Sequence, residues 1–196
     1  MKRGTGSLIC ISQTLMKQWA DEGIDSARMV SEHDAVNRSK FTSNVSQSEA
    51  QRQTGITAHQ RIVAYTGSLK PGKGVDIIVQ CANLLPEITF LIVGGEEKEV
   101  NQFKKETKHG NIIFTGQVQP TYVPLYQASA DILILPNTRG SAIDDVTSPM
   151  KLFEYMATKK PVVATNMPSL LEILKDKHNA LICPAGDAAI LAEKIN

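Results

Sequence analysis

A glycine-rich loop, Gly67-Ser68-Leu69-Lys70-Pro71-Gly72-Lys73-Gly74, has the residue types of an anion site. It joins an apolar strand pattern to a helical pattern that starts at Val75. Glycines let backbone N–H groups approach a ligand, the following helix presents its positive end there, and Lys73 adds a full charge. The loop therefore predicts a bound anion, with a phosphate as the natural ligand.

Two alternatives for this loop have to be weighed. The spacing is close to the P-loop pattern G-x-x-x-x-G-K-[ST], but Gly74 has no hydroxyl to hold Mg²⁺, and the apolar run before Pro136 does not end in an acid. The dinucleotide fingerprint G-x-G-x-x-G is absent as well. A tight strand-to-helix turn without any ligand is the other alternative, and a lysine between two glycines argues against it.

A second segment whose residue types could bind a ligand covers residues 147–157. Ser148 is a good N-cap and Pro149 suits a first helical turn, so we expect a helix that starts here. Its start would offer N–H groups to a second phosphate, and the Glu154 carboxylate could accept hydrogen bonds from sugar hydroxyls. Lys151 could instead pair with Glu154 as an ordinary surface ion pair. Helical spacing predicts that the buried face holds Pro149, Leu152, Phe153, Met156 and Ala157.

The elements that must position these residues form a regular pattern from Arg61 onward. Short all-apolar runs alternate with amphipathic helical stretches, which is typical of a parallel sheet with helices on both faces. We therefore predict an α/β fold with a doubly wound, Rossmann-like parallel sheet of about six strands. The predicted strands start at Ile62, Ile88, Ile112, Ile132, Val162 and Leu181.

The first 60 residues are less regular. Residues 1–25 contain an apolar run, Leu8 to Ile11, and a short helical stretch from Gln13 to Asp21. Residues 26–60 are dominated by polar and charged residues and are predicted to be a crossing segment or linker, with one helix at residues 47–54.

Composition excludes several classes of protein. The net charge of +1 over 196 residues argues against a protein that coats nucleic acid, and no apolar run approaches the length of a membrane span. The three cysteines have no metal or disulfide spacing and lie in apolar runs, so we expect buried free thiols. The four histidines lack metal spacing and are expected in solvated loops: His33, His59, His109 and His178.

Short motifs in residues 61–196 occur in a consistent order. They are Tyr65–Leu69 with Lys73-Gly74, Leu91–Gly94, Ile113–Gly116, Leu125-Tyr126 with Ala130-Asp131, Leu133–Pro136, Ser148–Ala157, Pro161–Ala164 and Pro184–Asp187. In these motifs and their order, this part of the chain resembles the C-terminal domain of the large retaining glycosyltransferase family (glycosyl transferase group 1, family 4 type), which has the bilobal GT-B fold of glycogen and sucrose synthases. The resemblance implies that residues 1–25 are the end of the N-terminal acceptor domain, that residues 26–60 are the interdomain crossover, and that residues 61–196 are a donor-binding domain truncated at its end.

The resemblance also implies roles for individual residues. Lys73 would hold the diphosphate of a nucleotide-sugar donor and stabilise its charge as it leaves, and Glu154 would bind the ribose; these two are the implied catalytic residues. N–H groups around Ser148, Pro149 and Met150 would hold the diphosphate, and residues 116–118 would lie against the base. The remaining implied donor-binding residues are Gly67, Ser68, Lys70, Val118, Asp144, Asp145 and Lys151. No metal or other cofactor is expected, because cations and the helix start take over the role of a metal in this family.

Three positions depart from the family pattern. Ser68 stands where an arginine is common, and Lys70 or Lys151 could compensate for the lost charge. Val146 stands where the first of two glutamates, eight positions apart, would be, and Asp144 or Asp145 could replace that acid only by a loop shift. Lys159 takes the place of a helix-ending glycine.

The resemblance thus implies a cytoplasmic, metal-independent, retaining glycosyltransferase whose acceptor is a carbohydrate or a lipid-linked sugar bound by the missing N-terminal domain. It implies no nucleic-acid partner and no transmembrane segment, and it leaves peripheral membrane association of the full-length enzyme open. The isolated 196 residues are expected to bind donor without transferring sugar. The alternatives are a non-catalytic nucleotide-sugar or phosphate-binding module and a GT-B-fold nucleotide-sugar epimerase.

Overall fold

The structure is a computed structural model that describes residues 6–41, 45–56, 60–139, 144–146 and 148–196. His59 lies outside the described residues. The first part of the chain forms strand β1 (Leu8–Cys10), helix α1 (Gln13–Asp21), strand β2 (Met29–Ser31) and helix α2 (Gln47–Thr54). Strands β1 and β2 pair in parallel as a separate two-stranded sheet. The predicted linker thus contributes one strand and one helix, and its role between domains stays a prediction.

The main sheet has six strands, all parallel, in the spatial order β5-β4-β3-β6-β7-β8. This order confirms the predicted doubly wound sheet: the chain moves outward in one direction through the first three strands, and then in the other direction through the last three. The strands are β3 (Ile62–Thr66), β4 (Thr89–Val93), β5 (Ile112–Gly116), β6 (Ile132–Leu135), β7 (Val162–Thr165) and β8 (Leu181–Cys183).

Helices connect these strands and cover both faces of the sheet. They are α3 (Val75–Leu84), α4 (Glu97–Glu106), α5 (Val123–Ala128), α6 (Met150–Thr158), α7 (Pro168–Leu171) and α8 (Ala188–Ile195). Alternate residues of each central strand face opposite sides, so that Val63 packs with α3 and α8 whereas Ile62 packs with α6. The sheet therefore lies between two apolar layers, as its continuous apolar strand sequences predict.

The N-terminal elements are attached to the main domain by specific hydrogen bonds. The Glu172 carboxylate accepts from the backbone N–H groups of Gln13 and Thr14, each at 2.8 Å, at the start of α1. Gln47, at the start of α2, donates to Asp131 at 2.9 Å and accepts from Lys160 at 3.1 Å. These contacts hold the start of α1 against the end of α7, and the start of α2 against the residues just before β6 and β7.

The cysteines and one histidine have distinct surroundings. All three cysteines are buried and free, as predicted, and burial raises the pKa of the Cys81 thiol to about 12. His33 is exposed in a loop, as predicted, and its Nε2 is 3.6 Å from a carboxylate oxygen of Glu172. Within the described ranges, each helix is too short or too polar to span a bilayer.

Candidate functional site

A cleft of about 830 Å³ opens at the carboxyl ends of the central strands. It lies beside β3, where the order of the sheet reverses between β3 and β6, and ligands of open α/β sheets bind at such a switch point. Nine of the predicted site residues meet in its walls: Gly67, Ser68, Lys70, Lys73, Val118, Pro149, Met150, Lys151 and Glu154. Gln117, which was expected against the base, also lines the cleft, and so do residues that sequence reasoning did not assign to it: Thr66, Val93, Gly94, Gly95, Glu96, Glu99, Pro120 and Val123.

The glycine-rich loop forms one wall of the cleft and needs its last glycine. Gly74 is the N-cap of α3 with φ +73°, and a Cβ atom there would lie 1.7 Å from the carbonyl oxygen of Pro136. A serine or threonine, as a P-loop requires, has no room at this position, which agrees with the exclusion of that motif. The close approach of the loop to the end of β6 leaves Lys73, just before the helix, in the wall of the cleft.

Lys151 is a half-buried cation held over an aromatic ring. Its Nζ donates to the Tyr65 hydroxyl at 3.0 Å and lies 4.1 Å from the centre of that ring. The Tyr65 hydroxyl in turn donates to the backbone carbonyl of Ser68 at 2.7 Å. Burial, and then the charge of Lys73, lower the pKa of Lys151 to about 7, against the opposing effect of Glu154. The charge of Lys73 thus disfavours the charged form of Lys151, in a cleft wall that also includes Lys70.

Glu154 is held by an uncharged donor and not by the lysine one turn earlier. Gln127 Nε2 donates to Glu154 Oε2 at 3.1 Å and to the hydroxyl of Thr66 at 3.2 Å. The sequence allowed an ion pair between Lys151 and Glu154 as an alternative. In the part of the chain that the structure describes, these two side chains form no salt bridge. The carboxylate therefore faces the cleft with one oxygen anchored from behind.

The start of α6 differs from the sequence prediction. Pro149, not Ser148, is the N-cap residue; its backbone is extended (φ −77°, ψ 116°), and its carbonyl accepts from Leu152 N at 2.9 Å. The Ser148 hydroxyl is buried and has no partner among the described residues, and Ser148 does not line the cleft. Because proline has no N–H, the donors that α6 can offer to an anion begin with the N–H groups of Met150 and Lys151.

The buried face of α6 also differs from the predicted one. Met156 is 44% exposed, whereas Tyr155 is fully buried. A buried tyrosine needs a partner for its hydroxyl, and Tyr155 Oη accepts from the backbone N–H of Thr66 at 2.8 Å. Helical spacing alone did not identify Tyr155 as core because its partner lies at the end of a distant strand.

The two aspartates considered as replacements for the missing first acid lie in a 3₁₀ turn, Asp144–Val146. Asp145 is half-buried, 3.4 Å from the guanidinium of Arg139, and is not part of the cleft wall. The carbonyl of Val146 accepts from the Ser12 hydroxyl at 3.2 Å, which fixes this turn against the start of α1. Asp144 is described only through its backbone in this turn, and Thr147 lies outside the described residues.

Sequence reasoning missed Gln127 as a member of the site. Gln127 is fully buried on the short helix α5. Its amide nitrogen donates to two residues of the cleft wall, Thr66 and Glu154. A glutamine at a buried helical position was the signal that could have pointed to it, since buried amides need partners. Which partners it has depends on the packing of α5 against β3 and α6.

Two known proteins are similar in sequence to a large part of this chain. The phosphatidyl-myo-inositol mannosyltransferase of Mycobacterium leprae is 27% identical over 186 residues, which cover 92% of this chain and 46% of that protein. The alpha-galactosylglucosyldiacylglycerol synthase of Streptococcus pneumoniae is 27% identical over 133 residues, covering 64% of this chain and 34% of the relative. The chain therefore spans less than half the length of these two relatives.

A solved structure shows the same fold. The crystal structure of Anabaena Alr3699/HepE in complex with UDP-glucose superposes with a TM-score of 0.85 at 21% identity, covering 99% of this chain and 54% of that one. Residues 60–196 match the family model described as "Glycosyl transferases group 1". The chain, with its Rossmann-like half of a GT-B fold, therefore belongs to the group 1 glycosyl transferases.

Proposed function

We propose that the cleft binds a nucleotide-diphosphate sugar, and that the complete enzyme transfers its sugar to an acceptor hydroxyl with retention of configuration. The observation that carries the proposal is the meeting of two lysines, Lys73 and Lys151, with the carboxylate of Glu154 in one cleft beside the start of α6. Cations and a helix N-terminus suit a diphosphate, and a carboxylate suits vicinal hydroxyls.

The diphosphate is assigned to the side of the cleft that carries the lysines. Burial first, and then the charge of Lys73, lower the pKa of Lys151, and a diphosphate bound beside it would favour its charged form. Lys151 lies over Tyr65, whose hydroxyl holds the Ser68 carbonyl, so it is placed to supply the cation that an arginine at position 68 would have given. This charge distribution supports lysines, without a metal ion, as the groups that neutralise the donor.

The nucleoside is assigned to the part of the cleft next to Glu154 and Val118. Glu154 would accept hydrogen bonds from the ribose hydroxyls, and Val118 with its neighbours would lie against the base, since both line the cleft. The structure of HepE was solved with UDP-glucose, which supports a uridine nucleotide as the first donor to test.

In the proposed reaction, the bond between the anomeric carbon and the diphosphate oxygen breaks while the acceptor oxygen bonds to the same carbon from the same face. The acceptor proton passes to the departing diphosphate, whose charge Lys73 and Lys151 stabilise. The names of both relatives include a lipid, which supports a lipid-linked or carbohydrate acceptor and an enzyme that works in the cytoplasm at or near a membrane.

Calorimetric titration of UDP, GDP and ADP into the 196-residue protein tests the donor site. We expect one nucleotide to bind with a Kd below a millimolar, and Lys73→Ala and Glu154→Ala each to weaken it at least tenfold. Lys105→Ala and Glu193→Ala, which remove the same charges from exposed positions on α4 and α8, are the matched controls. If no nucleotide binds, or if the cleft variants bind like the controls, the assignment is refuted.

Transfer itself requires the full-length protein. We propose that the 196 residues alone bind donor but transfer no sugar, since they cover about half of the solved relative. Nuclear magnetic resonance of the product, with the anomeric configuration compared with that of the donor, tests retention; an inverted product would refute it. Donor binding without transfer by the full-length protein would favour the non-catalytic module, and interconversion of two nucleotide sugars would favour an epimerase.

A further inference from the structure

Gln127 is the buried side chain that connects the elements around Glu154. It is fully buried on α5, and its Nε2 donates to Glu154 Oε2 on α6 and to Thr66 Oγ1 at the end of β3. Thr66 is itself held by Tyr155, whose hydroxyl accepts from the backbone N–H of Thr66. The amide thus ties one carboxylate oxygen to the rigid edge of the sheet.

The chemistry of this contact suits a carboxylate that must accept hydrogen bonds from a ligand. An amide donates a hydrogen bond without bringing a charge, so it orients Glu154 and leaves the other carboxylate oxygen to accept from a ligand. A lysine or arginine in the same place would compete with the ligand for the carboxylate, and an apolar residue would leave Oε2 without its buried donor.

We propose that Gln127 is a positioning residue that sets the selectivity of the cleft for the ribose hydroxyls of the nucleotide by holding Glu154 in one rotamer. This inference rests on the proposed function, because it takes Glu154 as the ribose-binding group. Gln127 is sealed behind Glu154 and does not line the cleft, so it acts through Glu154.

The test compares UDP with 2′,3′-dideoxy-UDP, which lacks both ribose hydroxyls, in the wild-type protein and in Gln127→Met. Methionine retains the length and volume of glutamine but donates no hydrogen bond. We expect the wild type to prefer UDP by tenfold or more, and the variant to lose about tenfold of its affinity for UDP while it binds dideoxy-UDP as before. Gln80→Met, at an exposed position of α3, is the matched control and should change neither affinity.

The outcomes separate this inference from the proposed function. If the wild type binds both nucleotides equally, the ribose role of Glu154 is refuted, and the positioning role of Gln127 with it. If the wild type discriminates and Gln127→Met does so equally, or loses both nucleotides alike, only the role of Gln127 is overturned. Should Gln127→Met fail to fold, Gln127→Leu serves as the second variant: it also donates no hydrogen bond and is expected to abolish the discrimination, whereas retained discrimination would overturn the proposal.

Discussion

Donor binding should be coupled to uptake of a proton by Lys151. In the free protein, burial and Lys73 lower the pKa of this lysine to about 7, from an ordinary value of 10.5. A bound diphosphate supplies the missing counter-charge and should return the pKa toward its ordinary value. Between these two values the free protein holds fewer protons than the complex, so binding takes up a proton, and affinity falls as pH rises through this window.

The size of the effect follows from the two pKa values. At pH 8 Lys151 would be about 10% protonated when free and almost fully protonated when bound, which gives an uptake of roughly 0.9 protons per nucleotide. At pH 6 it is already charged in both states, and uptake from this group falls to roughly 0.1 protons. Affinity should fall about a hundredfold between pH 6 and pH 9 from this group alone.

Calorimetry of UDP binding in buffers with different ionisation enthalpies measures the uptake directly. The window from pH 7.5 to 8.5 avoids titration of the phosphate groups of the nucleotide, which ionise near pH 6, and lies below ionisation of the uracil ring. Tyr65, which contacts Lys151, does not interfere because burial raises its pKa well above this range. Lys151→Arg preserves the charge but cannot titrate here, so it should bind UDP without proton uptake. Equal uptake by the wild type and Lys151→Arg would refute the reasoning.

Three further predictions concern stability and catalysis. Lys159 ends α6 in the left-handed conformation (φ +59°), so Lys159→Gly should raise the free energy of unfolding by about 1 kcal/mol. Lys105→Gly, inside α4, should lower the free energy of unfolding by a similar amount. A lower thermal unfolding midpoint for Lys159→Gly than for the wild type would contradict this. In the full-length enzyme, Lys73→Ala should lower kcat more than it raises the donor KM, because the charge it neutralises grows as the diphosphate leaves; an effect confined to KM would argue for donor binding only. Transfer by the full-length enzyme should persist in excess EDTA, and a loss that Mg²⁺ restores would show that lysines do not replace a metal.

Local features of this protein could be predicted from sequence because their causes lie within a few residues. Asp187 accepts from the N–H of Ile190 at the start of α8, as its type and position indicate. The predicted helix at residues 47–54 has Ser46 as its cap and Gly55 in a left-handed turn at its end. Continuous apolar strands predicted a parallel sheet, and its order is as expected.

Features that depend on contacts between distant residues could not be predicted this way. Helical spacing placed Met156 in the core and missed Tyr155, since the partner that allows burial of Tyr155 is the backbone of Thr66, 89 positions away. Pro149 rather than Ser148 is the N-cap residue of α6, because its backbone is extended and its carbonyl accepts from Leu152 N.

The sequence by itself determined the kind of fold, and it pointed to the loop at residues 67–74 and to Lys73 and Glu154, on which the proposed chemistry depends. Only the tertiary structure decided how these charges are held. Lys151 lies over Tyr65 instead of pairing with Glu154, and Gln127 takes the place of that lysine as the carboxylate's partner. The physical reason is that spacing along a helix limits which side chains can meet, whereas the packing of β3, α5 and α6 sets which buried donors and acceptors must satisfy one another.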